Sequence, residues 1–229
     1  MKKLLLFSFL LVLIQSNQAQ SKIYVGFNLA PTLSFPVIQG SSEQIEAKTN
    51  ISFGITGAYF FDRNLYLKTA IIFDQKSFAL NGLPNTIGSL PSGIWDINDL
   101  QGYESYSTFN IIETYQSFIL PLTINYKLSN LDNTTFLFSG GIEIGYLYNV
   151  KYVYDYGIGG QRTYNIKYSN IFGALNLGIG LFQPISDNYL LLITPRYSHT
   201  FYPKDWIKRL NVNTINSINL DVEFYFQLN

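Results

Sequence analysis

The sequence predicts an all-β fold: an eight-stranded antiparallel up-and-down transmembrane β-barrel of the outer-membrane type, preceded by a signal peptide. Three observations carry that expectation. Apolar and polar residues alternate with period two in eight separate segments, and neither a sustained 3.6-residue period nor a ~20-residue apolar run follows the N-terminus. Connections between the segments alternate long and short. The apolar register of all eight segments is free of Asp, Glu, Lys and Arg.

Residues 1–20 read as a secretory signal. Lys2 and Lys3 precede an apolar run from Leu4 to Ile14 broken only by Ser8, and a polar stretch then places the small Ala19 at the expected cleavage point. A run of about 11 residues is too short to cross a bilayer. Residues 21–229 form one exported domain. Losing Lys2 and Lys3 leaves 13 basic against 15 acidic residues, a mature charge of −2.

Each strand follows from its alternation. In the first segment Ile23, Val25, Phe27, Leu29, Leu33 and Phe35 share one face, with Tyr24, Gly26, Asn28, Ala30, Thr32 and Ser34 on the other. The second (residues 49–61) carries Ile51, Phe53, Ile55, Tyr59 and Phe61 on its apolar face, and the third (65–76) Leu65, Leu67, Ile71 and Phe73. The fourth (115–128) carries Phe118, Leu120, Leu122, Ile124 and Tyr126; the fifth (135–150) Phe136, Phe138, Ile142, Ile144, Tyr146 and Tyr148. The sixth (170–182) carries Ile171, Leu175, Leu177, Ile179 and Leu181, and the seventh (189–201) Leu191, Ile193 and Tyr197. The last (216–228) carries Ile218, Leu220, Val222, Phe224, Phe226 and Leu228. Short turns are expected at 62–64, 129–134 and 184–188, and long loops at 36–48, 77–114, 151–169 and 202–215. That order suits a barrel with one periplasmic and one external rim.

Charge placement decides which face is wet. Opposite the apolar register lie Lys22, Lys68, Asp74, Lys76, Lys127, Glu143, Arg196, Asp221 and Glu223. They are too sparse for a soluble exterior but fit a narrow lumen, and a lipid-facing Arg or Lys at mid-depth costs roughly 2–4 kcal/mol. Gly26, Gly54, Gly141, Gly145, Gly178 and Gly180 on the inner face let the barrel contract. Tyr59, Phe61, Tyr126, Tyr146, Tyr148, Tyr189 and Tyr197 suit interfacial girdles. Pro31, Pro121 and Pro195 interrupt proposed strands, so bulges or fraying are expected there.

Composition narrows the function. Only 13% of residues are charged while 17% are aromatic, including 18 Tyr and 18 Phe. A formal net charge of zero with no Lys/Arg cluster argues against nucleic acid as a partner. The absence of cysteine excludes disulfides, Cys-ligated metals and a lipidated N-terminal cysteine.

Several stretches resemble the PorT-like family of small outer-membrane β-barrels from Bacteroidota. Residues 71–78, IIFDQKSF, are similar to that family's third strand with its Gln-Lys pair, although Ser77 stands where a Gly often follows. Residues 115–128, YQSFILPLTINYKL, resemble its fourth strand with a central Leu-Pro. Residues 173–181, GALNLGIGL, resemble the glycine-rich sixth, Pro195-Arg196-Tyr197 the seventh, and residues 219–226 the closing strand. The Ala19-Gln20 ending is similar to Bacteroidota signal peptides. The resemblance implies a fold and an outer-membrane location, and by analogy an accessory role in secretion or envelope assembly.

No catalytic, cofactor-binding or metal-ligating residue is assigned. His199 is the only histidine, Ser198 and Thr200 must face the opposite side of its strand, and Phe201 stands where a deacylase-type serine would be. Asp96, Asn98 and Asp99 lack the full EF-hand spacing, and Gly159-Gly160 lacks a following helix. Two constellations remain. Lys68, Lys127, Glu143, Arg196, Asp221 and Glu223 are expected to form an ionic network inside the barrel, with a gated pore as the competing role. Trp95, Tyr103, Tyr106 and Trp206 stand in the long loops as candidate contact residues, because exposed aromatics are enriched at binding hot spots. The expected function is a non-enzymatic outer-membrane barrel with a structural or accessory role. Its partners are membrane lipids and an envelope protein or surface glycan; the alternatives are a secretion-complex subunit or a narrow channel.

Overall fold

A computed structural model describes residues 22–38, 44–84, 108–128, 134–155, 160–202 and 212–228. They form β1 (Lys22–Ile38), β2 (Gln44–Phe60), β3 (Leu65–Pro84), β4 (Thr108–Lys127), β5 (Thr135–Asp155), β6 (Gln161–Ser186), β7 (Tyr189–Phe201) and β8 (Val212–Leu228). Every strand is antiparallel to the next, and β1 pairs with β8, so the sheet closes on itself without a crossover. Closure leaves the membrane-level backbone no unpaired edge, which a lipid environment demands.

The outer face is apolar and the inner face polar. Phe27, Ile71, Ile171 and Leu177 are 62%, 65%, 67% and 68% exposed, while Lys68, Asp74, Glu143, Asp221 and Glu223 are buried. A soluble barrel would have the reverse arrangement. The belt runs around all eight strands, from Phe27 and Ile55 through Ile124, Ile144 and Ile179 to Tyr197 and Phe224. Only a hydrocarbon surround makes that exposure favourable, at roughly 25 cal/mol for each Å² of apolar surface removed from water.

The strands are longer than their alternation suggests. Within the stretches expected as loops, residues 36–38, 44–48, 77–84, 108–114, 151–155, 161–169 and 212–215 are strand. β5 has 21 residues and β6 has 26, against the ~9–11 that cross a membrane. At ~3.3 Å per residue and a tilt near 45°, β5 rises roughly 50 Å, about twice the ~25 Å apolar band of such barrels. The wall is uneven: β7 stops at Phe201, opposite Gly173, so β6 continues for another turnless stretch back to Gln161 paired with β5.

A bulge explains one further departure. Tyr148 has no partner on either neighbour, where the β4–β5 and β5–β6 registers each shift. Below it Glu143, Gly145 and Leu147 point inward; above it Val150, Tyr152 and Tyr154 do. The prolines behave differently from the expected bulges. Pairing lapses beside Pro31 on the β8 side, Pro121 on the β3 side and Pro195 on the β6 side, with the register unchanged across each gap. A missing N–H removes a ladder bond without adding a residue. Lys22 is exposed at the rim, not inside, because β1 begins there.

Turns on the opposite rim are tight. The Phe61 and Asp62 amides donate to the Leu65 carbonyl at 3.0 and 3.2 Å, and Asp187-Asn188 alone join β6 to β7. Gly160, with φ at 86°, enters β6 in a conformation that L side chains rarely adopt.

Candidate functional site

The lumen is filled in three layers. Nearest the short turns, Tyr24, Phe60, Tyr66, Leu137, Phe182, Leu190, Leu192 and Tyr225 form a buried apolar cluster. Phe60 stacks on Tyr66 at 4.4 Å between centroids, and the Lys127 ammonium lies 4.1 Å from the Phe182 ring centre. Such a cation–π contact compensates partly for the water lost by Lys127.

The middle layer is ionic. Arg196 lies between two carboxylates, its Nη1 donating to Glu143 Oε1 at 2.5 Å and its Nε standing 2.8 Å from Asp221 Oδ2. Arg196 on β7 pairs with Asn219 on β8, so Asp221 is its diagonal neighbour on the same inner face. Glu143 reaches it from β5 and also accepts from Asn176 and Ser198, each at 3.2 Å. Lys68 donates to both oxygens of Glu223 at 2.9 and 3.1 Å, and Asn28 and Tyr225 donate to the same carboxylate. Asp74 accepts from Ser52 at 2.6 Å, and Lys76 bridges from Asp74 at 3.7 Å to Thr200 at 2.7 Å. Thus Arg196, Glu143 and Asp221 meet in one cluster, Lys68 and Glu223 in a second, and Lys127 lies against the rings of Phe60 and Phe182 in the aromatic layer.

A third layer lies toward the long loops. Phe78, Tyr115, Tyr152, Tyr154, Phe172, Tyr202 and Ile215 pack there in a large buried cluster. The Tyr115 hydroxyl donates to Glu113 at 2.7 Å. Glu113 is as buried as Glu143, yet it falls in a stretch expected as loop. Simple parity from Tyr115 along β4 would have placed it inside. Tyr152 and Tyr154 could not be found that way, since the Tyr148 bulge inverts the parity.

Above the belt the outer surface of β2 and β3 carries Glu46, which accepts from Lys48 at 2.8 Å and Asn81 at 3.4 Å; these donors hold its carboxyl below the usual range. His199 faces outward, with Nδ1 at 2.5 Å from Asn216 Oδ1 and its ring edge-on to Phe201. Ser198 and Thr200 are buried on the inner face. Trp95, Tyr103, Tyr106 and Trp206, together with Asp96, Asn98 and Asp99, lie outside the described residues.

A closed eight-stranded barrel with a continuous apolar belt and a polar, ion-paired interior is a small bacterial outer-membrane β-barrel, and this chain resides in the outer membrane. Neither a family model nor a curated sequence matches it. Among solved structures it is similar to Neisserial surface protein A (NspA), at 12% identity and TM-score 0.45, over 90% of this chain and 97% of that one. The outer membrane protein OprG from Pseudomonas aeruginosa is similar at 10% identity and TM-score 0.45, covering 92% and 96%. Ail, the attachment invasion locus protein of Yersinia pestis, is similar at 10% identity and TM-score 0.41, covering 91% and 97%.

Proposed function

We propose that the chain is a non-enzymatic outer-membrane scaffold that holds binding loops above the cell surface, in an accessory role toward an envelope protein or surface glycan. The height of the wall carries this reading. Anchoring needs only ~10 residues per strand, whereas β3, β4, β5 and β6 run to 20, 20, 21 and 26. The extra rows are packed internally by Phe78, Tyr115, Tyr152 and Tyr154, which makes them a rigid pedestal. A narrow channel is the weaker alternative, because aromatic layers lie on both sides of the ionic one. The strand landmarks shared with the PorT-like family support assignment to that group of Bacteroidota proteins and, by analogy, a place in a secretion or envelope complex.

Photo-crosslinkers placed at positions 95, 103, 106 and 206 in intact cells test the proposal. Adducts with one discrete envelope protein or glycan are expected from these sites, and none from the lipid-facing position 177. Equal adduct patterns from loop and belt positions would sink it, as would steady conductance in a planar bilayer with no adduct at all.

A further inference from the structure

Immediately above the belt, the outward surface of β4, β5 and β6 changes character. Phe118, Tyr146 and Ile171, all exposed, are cross-strand partners and form the top lipid-facing row. Tyr148 bulges beside them and stacks on Phe118 at 5.4 Å. The next row is Gln116, Asn149 and Lys167, joined by the Asn149 Nδ2 donation to Gln116 Oε1 at 2.8 Å. Above that come Thr114, Lys151 and Asn165. Lys151 and Lys167 are therefore diagonal neighbours on adjacent strands, about 7–8 Å apart at the backbone and within mutual reach of long side chains.

Like charges placed so closely are unfavourable unless something neutralises them. Within the described residues neither lysine has an ion pair, unlike Lys48 beside Glu46 or the lysines of the lumen. The outward carboxylate of this wall, Asp155, is four residues above Lys151, roughly 13 Å along the strand, and is engaged by Gln161. Behind the two lysines, Val150, Tyr152 and Ile166 pack into the upper core, so the backbone carrying the charges is fixed.

We infer that Lys151 and Lys167, with Asn149, Asn165 and Gln116 around them, form a site for the phosphate of an anionic lipid in the outer leaflet. The site is continuous with the belt: a lipid whose chains lie on Phe118, Tyr146 and Ile171 presents its head group at these two ammonium groups. Interfacial lysines of this kind contribute to anionic lipid binding by about fivefold each, so both together give on the order of 25-fold.

The test counts lipid adducts on the full-length barrel in detergent by native mass spectrometry, with lipid A as the phosphate-bearing probe and phosphatidylcholine as the zwitterionic control. Wild type is expected to retain lipid A preferentially and to lose it with rising salt. The K151Q/K167Q double variant should bind it on the order of 25-fold more weakly, while K151R/K167R retains it. Unchanged heat-modifiable gel mobility of each variant certifies the fold. Equal retention by K151Q/K167Q, or equal retention of phosphatidylcholine by wild type, overturns the site. Displacement of lipid A by millimolar inorganic phosphate would identify a free anion as the occupant and overturn the lipid assignment.

Discussion

Replacing Arg196 with alanine removes the one cation that lies between Glu143 and Asp221. In the wild type its guanidinium makes contacts of 2.5 Å and 2.8 Å with these buried carboxylates. Without it, Glu143 keeps only Asn176 and Ser198 as neutral donors, and Asp221 loses its ion pair. Breaking a buried pair costs about 3–5 kcal/mol, because a charge remains without compensation. The expected loss for Arg196→Ala is therefore at least 3 kcal/mol, read as a lower urea midpoint for the heat-modifiable band in detergent or vesicles. The origin of that loss has its own control. Adding Glu143→Gln and Asp221→Asn to Arg196→Met removes the stranded charges and should recover most of the midpoint, since neutral replacement of a whole buried network is often harmless. The aromatic layers above and below should keep Arg196→Ala silent in a planar bilayer. A stability within ~0.5 kcal/mol of wild type, or no recovery in the triple variant, would refute this account of the ionic layer.

Three other outcomes are expected. Leu177→Arg places a charge at the most exposed belt position and should cost roughly 2–4 kcal/mol in refolding into vesicles, whereas a neutral result would mean that β6 does not face lipid there. A Cβ at Gly141 would meet the Leu122 carbonyl oxygen at 2.1 Å, while one at Gly173 would find its nearest neighbour at 4.0 Å; Gly141→Ala should lower the yield of the heat-modifiable form sharply and Gly173→Ala should not. Overpacking of this kind costs about 1–3 kcal/mol, and more where backbone must shift. The intact mass of protein extracted from membranes should correspond to a chain beginning at Gln20 or Ser21, as signal cleavage after Ala19 or Gln20 requires.

The membrane-level part of the barrel was legible in the sequence because lipid imposes a strict rule on alternate residues. Leu175, Leu177, Ile179 and Leu181 obey it without interruption, and so do Phe118, Leu120, Leu122 and Ile124. Once a strand leaves the hydrocarbon, polar residues become acceptable on both faces and the period-two signal fades. That is why residues 77–84, 108–114, 151–155 and 161–169 looked like loop, and why Glu113, Phe78 and Tyr152 were missed as interior groups. The pairing of Arg196 with both Glu143 and Asp221 could be anticipated from face and height alone. The contact of Lys127 with a ring, that of Phe182, could not, since nothing in the alternation of β4 and β6 pairs a cation with an aromatic.

The extra residue at Tyr148 acts as a phase shifter between two selective regimes. Below it, each side chain of β5 answers to lipid on one side and to the ionic layer on the other. Above it, the same strand restarts its alternation with an offset of one. Substitution, and even a further single-residue insertion at this point, can then remodel the external half of β5 without inverting Phe138, Ile142 and Ile144 against the bilayer. The rows above the belt can thereby change length and sequence without disturbing the register of the anchor below them.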